Sequence, residues 1–177
     1  MEMERRKAME TDNRKWFAAM TSFGQEVVIR DRLVSKGIDC FIPTEQRRNY
    51  RGQVREHAVI SNLVFIHASQ QDACLLRTRD CLPVKYLFDY ARHAMLAVPD
   101  KQMEDFRRVF EAGISEGGLV DKALALGEKV RVTRGALKGV EGNVLEFQGK
   151  LYVVVGIYGC VWARARVPRA YLEKVGK

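Results

Sequence analysis

Three closely spaced glycines in an alternating apolar segment restrict the fold of the last third of the chain more than any other feature. The segment "VRVTRGALKGVEGNV" places Gly135, Gly139 and Gly142 between short runs in which apolar and polar residues alternate, a pattern typical of strands. About five such runs follow one another here. A sheet closed from so few residues must bend sharply, and glycine accepts positive φ and bulges without a Cβ clash. We therefore predict a small β-barrel in which these glycines have a structural role at the corners.

The earlier part of the chain alternates between strand and helix patterns. "KWFAAM" predicts a strand, and Ser22 with Gln25 has the capping-box spacing of a helix that Gly37 would end. Strands are predicted again in "CFIPT" and "LVFIHA", and Ser69 is the predicted N-cap of a second helix. Pro99 opens a third helix that ends at Gly113. This mixture predicts an α+β domain.

A long basic hairpin is predicted between two of these strands. The segment "EQRRNYRGQVREHAVI" reads as two extended arms around a turn at Arg51-Gly52. Its tip carries Arg47, Arg48, Arg51 and Arg55.

The chain is therefore divided into a charged N-terminal tail (1–13), an α+β domain (14–112), a glycine-rich linker (113–121) and a small β domain (122–177).

Charge and composition limit the classes of function. The formal net charge is +8, and residues 119–177 carry 11 Lys and Arg against 5 Asp and Glu, so a polyanion partner and a merely solvated surface both fit. Four scattered cysteines and three histidines lack metal-ligand spacing, so no metal or cofactor is expected. No run is long and apolar enough to span a membrane, and the charged start lacks a signal peptide's apolar core. A cytoplasmic monomer is expected.

Both halves of the chain resemble one family in the same order. "LGEKVRVTRGALKGVEGNVLEFQGKLYVVVGIYGCVWARARVPRAYLEKV" is similar to the KOW domain of NusG-type transcription elongation factors, and "KWFAAMTSFGQE" and "FIPTEQRRNYRGQVREHAVISNLVFIHA" resemble their N-terminal domain. The resemblance implies a NusG-type αβ sandwich, an antiparallel sheet with helices, linked to a C-terminal SH3-like KOW β-barrel. "YARHAMLAVPDKQMEDFRRV" most resembles the specialised UpxY group, which is related to RfaH.

The resemblance implies binding residues in three places. The RNA polymerase clamp would be bound by Trp16, Ile60 and Leu63, exposed together on an apolar surface, although all three could equally be core residues. In place of the family's usual F-P-G-Y, this chain has "ISNL". Upstream or non-template DNA would be contacted by arginines that could otherwise form a solvated face, namely Arg47, Arg48, Arg77 and Arg79. A small-subunit ribosomal protein or the termination factor Rho would be met by the KOW loop of Ile157, Tyr158 and Gly159.

Three functions can be compared at this point. The first is a non-enzymatic elongation factor that promotes processive transcription, or antitermination, of specific operons of the polysaccharide type. The second is a ribosome-associated or general RNA-binding KOW protein, which the N-terminal match argues against. The third, a thiol hydrolase built on Cys40 or Cys74 with His57, has no supporting local motif. Glycines at barrel corners oppose helix formation in the small β domain (122–177), so the barrel form of this domain is predicted.

Overall fold

The computed structural model describes residues 13–113, 119–120, 127–157 and 160–175. The helices in these ranges are α1 (Glu26–Ser35), α2 (Gln70–Thr78), α3 (Asp100–Gly113) and a short 3₁₀ turn (Arg169–Tyr171). The first nine strands are β1 (Lys15–Thr21), β2 (Asp39–Phe41), β3 (Thr44–Arg48), β4 (Val54–Ala58), β5 (Leu63–Ala68), β6 (Val84–Tyr86), β7 (Phe88–Asp89), β8 (Ala94–Met95) and β9 (Ala97–Val98). The remaining strands are β10 (Leu119–Val120), β11 (Lys129–Val132), β12 (Glu141–Phe147), β13 (Lys150–Ile157), β14 (Val161–Arg166) and β15 (Leu172–Lys174). The chain forms two compact units, Met1–Pro99 and Asp100–Lys177.

The first unit is built on an antiparallel sheet. Its strand order is β2-β5-β1-β6, and β9 also pairs with β1. Because side chains alternate along a strand, one face of β1 carries Phe17 and Ala19, which pack with Val64 and Ile66 of β5. The helices cover this face through Ile29, Leu33, Ala73 and Leu76. The paired strands β3–β4 and β7–β8 form two separate small sheets.

The two helices of this unit begin and end differently from each other. Ser69 caps α2 as predicted, because its side-chain oxygen accepts a hydrogen bond from the Asp72 backbone N–H at 3.1 Å. The capping box predicted for α1 is wrong. Gln25 is the N-cap residue and makes no side-chain cap bond, while Ser22 participates only through its backbone carbonyl. Gly37 ends the α1 region with φ of +71° as predicted.

The second unit combines α3 with a six-stranded antiparallel sheet. The strand order is β10-β14-β13-β12-β11-β15, and α3 packs on β13 and β14. At the end of α3, a Cβ on Gly113 would lie 1.9 Å from the backbone oxygen of Arg164. The helix therefore lies too close to the strand for any residue other than glycine at this position. The predicted α+β class, with a β-rich C-terminal region, is confirmed.

The three glycines of the opening segment have two different structural roles. Gly135 and Gly139 adopt positive φ of +80° and +86° between β11 and β12, as predicted for corners. Gly142 lies within β12 instead. A Cβ there would sit 2.5 Å from the Val154 backbone oxygen, so its role is to permit close approach of neighbouring strands.

The boundary between the two units of the structure differs from the domain boundary predicted from the sequence. The sequence places α3 in the first domain (14–112), whereas its contacts group it with the strands that follow it. A two-residue strand, β10, also occurs in the range predicted as linker, where it pairs with Ala163 and Trp162 of β14. The ranges predicted from sequence stay a prediction about independently folding domains. None of the described helices is long and apolar enough to cross a membrane.

Candidate nucleic-acid and polymerase interfaces

The predicted basic hairpin is present and is formed by β3 and β4. Its register pairs Thr44 with Ala58 at the base and Arg48 with Val54 near the tip. The base is attached to α1, because Arg30 donates to the Glu56 carboxylate at 2.6 Å and the Thr44 hydroxyl donates to the same carboxylate at 2.7 Å. The hydrogen bond from Arg30 has the larger effect and the bond from Thr44 the smaller, and together they hold the pKa of Glu56 below its ordinary value. The hairpin is therefore fixed at one end and projects its tip.

One face of the hairpin brings two like charges together. Arg47 and Arg55 are direct cross-strand partners and both are exposed. Arg47 is paired with Glu45 on its own strand, and Glu56 is occupied by Arg30. Among the described residues, Arg48, Arg51 and Arg55 form no ion pair. The hairpin thus offers three guanidinium groups that an anion could neutralise.

The hairpin tip also carries an aromatic ring that the sequence analysis did not single out. Tyr50 is 89% exposed, and the guanidinium carbon of Arg51 lies 5.2 Å from the centre of its ring. The "NYRG" turn, with Asn first and Gly last, could have revealed that this tyrosine lies at the apex. A second exposed aromatic pair, also missed, lies on β7–β8, where the rings of Phe88 and Tyr90 are 5.2 Å apart.

Arg77 and Arg79, predicted to contact nucleic acid, lie on a different element. Both are exposed at the C-terminal end of α2. Arg79 is paired with Asp80 at 3.6 Å, and Lys36 contacts the same carboxylate at 3.2 Å. The hydrogen bond from Lys36 lowers the pKa of Asp80, and the charge of Arg79 lowers it further by a smaller amount. No ion pair of Arg77 occurs among the described residues, so Arg77 is the freer of the two cations.

The predicted polymerase-binding residues are not exposed together. Trp16 and Leu63 lie on the same sheet face, as the pairs Trp16–His67 and Met20–Leu63 show, but they are only 6% and 3% exposed. The Trp16 indole stacks on the His67 ring with centres 4.8 Å apart. Ile60 is half-buried in the bend before β5. The exposure that the family resemblance implies is thus absent for two of the three side chains.

The predicted partner loop of the KOW domain is only partly described. Ile157 ends β13 with its side chain fully buried, and its carbonyl accepts the Cys160 N–H at 2.8 Å. Tyr158 and Gly159 lie outside the described residues. Trp162 is half-buried, packs with Leu145, Tyr152 and Val154, and lies so close over Gly156 that a Cβ there would be 2.5 Å from the indole. None of the four cysteines forms a disulfide, and no metal-binding cluster occurs among the described residues.

The architecture defines the class of protein: a mixed α+β unit with a basic hairpin, followed by a β-rich unit. Residues 14–107, more than half of the chain, match the family model "NusG: Transcription termination factor nusG". The chain belongs to the NusG family, whose members are non-enzymatic transcription factors that act on RNA polymerase.

One solved structure agrees with this assignment at the level of the fold. The structure titled "Domain interaction in Thermotoga maritima NusG" is similar over 94% of this chain and 99% of that chain, with 18% identity and a TM-score of 0.50. "Crystal Structure of MjSpt4:Spt5 complex conformation A" aligns over 92% of this chain and 99% of that chain, at 12% identity and a TM-score of 0.27. No curated protein matches by sequence.

Proposed function

We propose that this protein is a transcription elongation factor that binds the RNA polymerase clamp through its N-terminal unit and promotes processive transcription. The observation that carries the proposal is a projecting hairpin with three unpaired arginines on a NusG-family N-terminal unit. Such a hairpin supplies salt-sensitive phosphate contacts while a neighbouring surface holds the polymerase. No chemical step is needed, because a factor with higher affinity for the processive polymerase shifts the population toward that state.

The polymerase-binding surface is proposed to include Ile60, Trp16 and Leu63. Ile60 is half-buried and accessible for a contact, whereas Trp16 and Leu63 are covered. A role for the two buried side chains requires their sheet face to open before the polymerase binds. Arg47, Arg48, Arg77 and Arg79 are proposed to contact upstream or non-template DNA.

The second unit is proposed to recruit a further partner, a small-subunit ribosomal protein or Rho, through the segment of Ile157, Tyr158 and Gly159. Since the Ile157 side chain is fully buried, Tyr158 is the residue proposed to make the side-chain contact. The resemblance to the UpxY group supports antitermination at specific operons of the polysaccharide type. The protein is proposed to act in the cytoplasm as a monomer.

The test is binding of the full chain to a paused RNA polymerase elongation complex, with pause lifetime as the second readout. Ile60→Asp places a charge at the proposed contact, and Val28→Asp is the control because Val28 is an exposed valine on α1. Leu63→Asp is unsuitable, since a charge at a buried strand position would also unfold the unit. We expect the wild type and Val28→Asp to bind and shorten pauses, and Ile60→Asp to bind weakly.

One result would correct the proposed polymerase surface, and another would overturn the proposed function. Equal binding by Ile60→Asp and Val28→Asp would remove Ile60 from the polymerase surface. Absence of polymerase binding by the wild type, together with RNA binding that depends on the second unit, would establish the alternative of a ribosome-associated or general RNA-binding KOW protein.

A further inference from the structure

The apex of the β3–β4 hairpin is an ordered turn that displays a tyrosine. The Asn49 side-chain oxygen accepts hydrogen bonds from the backbone N–H groups of Arg51 at 2.9 Å and Gln53 at 3.0 Å. The Asn49 amide donates to the Gln53 side chain at 3.1 Å, and Gly52 takes the positive φ of +76° that closes the turn. The Gly52 N–H donates to the Asn49 carbonyl and the Asn49 N–H to the Gln53 carbonyl, so five hydrogen bonds within five residues hold the backbone on both sides of Tyr50.

An exposed tyrosine on a fixed turn can accept a flat, stacked partner at small entropic cost. Tyr50 is 89% exposed, so nearly its whole ring faces solvent. The neighbouring Arg51 lies against the ring at 5.2 Å, which adds a positive charge beside the aromatic surface. This combination of ring and guanidinium favours a partner that has both an aromatic face and a negative charge.

The charges below the apex favour a chain of such partners. Arg47 and Arg55 oppose each other directly across the strands, an arrangement that costs free energy unless an anion neutralises it. The acidic residues of the hairpin do not neutralise Arg55, because Glu45 pairs with Arg47 and Glu56 pairs with Arg30. Arg48 supplies a further exposed cation on the other face. Positive charge therefore continues from the apex along the hairpin, with Arg47 and Arg55 on one face and Arg48 on the other.

We propose that Tyr50 is a base-stacking residue and that the hairpin apex binds single-stranded nucleic acid. An unpaired base would stack on the Tyr50 ring, while Arg51 and the Arg47–Arg55 pair would contact the flanking phosphates. A duplex is a poorer ligand, because its internal bases are already stacked on both sides and present no free face to the ring. Stacking of this kind recognises any base and combines with a basic surface that follows the backbone.

This inference deepens the nucleic-acid contact in the proposed function and rests on it. The experiment measures binding of the full chain to fluorescein-labelled oligonucleotides of one length: single-stranded DNA, single-stranded RNA and duplex DNA. The variants are Tyr50→Ala, Tyr50→Phe, Arg55→Gln and the control Tyr90→Ala. Tyr90 is a matched control, since it is 81% exposed on another hairpin but contacts Phe88, and Arg92, two residues further on, is paired with Asp89.

We expect Tyr50→Ala to weaken single-strand binding by about 5- to 100-fold. Tyr50→Phe, which keeps the ring, should bind like the wild type, as should Tyr90→Ala. Wild-type affinity for the duplex should be lower than for either single strand. The relative affinities for DNA and RNA identify which nucleic acid supplies the unpaired base.

Three outcomes would overturn the stacking inference, and they separate it from the proposed function. Equal affinities of Tyr50→Ala and Tyr90→Ala, with Arg55→Gln still weakened, would leave the hairpin as a phosphate contact without stacking. Weakening by Tyr50→Phe as large as that by Tyr50→Ala would assign the role to the phenol hydroxyl rather than the ring. Absence of oligonucleotide binding by the wild type at low salt would remove both the stacking and the hairpin's nucleic-acid contact, while polymerase binding remains a separate measurement.

Discussion

Glu56 of the basic hairpin and Arg30 of α1 form a hydrogen-bonded ion pair at 2.6 Å, and this pair attaches the base of the hairpin to the helix. The pKa of Glu56 in the folded chain lies below the reference value of 4.5. The carboxylate therefore stabilises the fold fully at pH values above about 5. This stabilisation is lost as the pH falls through the lowered folded pKa.

The first prediction concerns that pH dependence. Glu56→Gln should reduce the free energy of unfolding at neutral pH by less than about 1 kcal/mol, because solvent screens a half-exposed pair. The difference between variant and wild type should shrink as the pH falls from about 5 toward 3. Urea denaturation across this pH range measures it. A difference that stays constant over the whole range would show that the pair contributes no charge-dependent stability.

The second prediction concerns the opposed arginines. Arg55→Gln removes a like-charge cross-strand pair, so the free energy of unfolding should rise by about 0.2–1 kcal/mol. Affinity for nucleic acid should fall, and its dependence on salt should weaken. Arg131→Gln is the control, since Arg131 is paired with Glu141 at 2.5 Å and its loss should not stabilise the fold. A destabilised Arg55→Gln would show that the repulsion is already relieved in the free protein.

The third prediction concerns the end of α3. Helix propensity alone would make Gly113→Ala stabilising by up to about 1 kcal/mol. The structure predicts the opposite sign, because the added Cβ would lie 1.9 Å from the Arg164 backbone oxygen and an overpacked contact costs about 1–3 kcal/mol. Thermal unfolding of Gly113→Ala and the exposed-site control Glu111→Ala measures the difference. A stabilised Gly113→Ala would contradict the close helix–strand approach.

The fourth prediction separates folding from binding at the polymerase surface. Leu63→Ala should destabilise the first unit by about 2–5 kcal/mol, because Leu63 is buried at the start of β5. Ile60→Ala, at a half-buried bend, should cost less than half as much and should still weaken polymerase binding. Denaturant unfolding with parallel polymerase-binding assays distinguishes the two. Equal destabilisation by both substitutions would place Ile60 in the core.

The sequence predicted those features that depend on local patterns. Ser69 and Gly37 act through a cap and a positive φ, both of which are decided within a few residues, so their roles were read correctly. Ser22 has the same kind of signal, but the chain there turns through backbone hydrogen bonds and the helix starts after Gln25. A sequence window cannot show which of two competing local hydrogen-bond patterns the tertiary fold selects.

The candidate sites depend more on contacts between distant residues and were predicted less completely. The hairpin and its arginines follow from local alternation and were found. The burial of Trp16 and Leu63 depends on what covers their sheet face, which no local pattern encodes. The opposition of Arg47 and Arg55 depends on the register set by the five-residue connection from Asn49 to Gln53. A shift of one residue would have placed different side chains opposite each other.

The packing of α3 has a practical meaning for exchanging parts between relatives. A chimera that keeps residues 1–113 and takes its β-rich unit from another NusG-family protein would set a foreign strand against Gly113, where there is no room even for a methyl group on the helix. A junction between Pro99 and Asp100 would instead move the helix together with β13 and β14, the strands on which it packs. By these contacts, the part to exchange intact would begin at the first residue of α3.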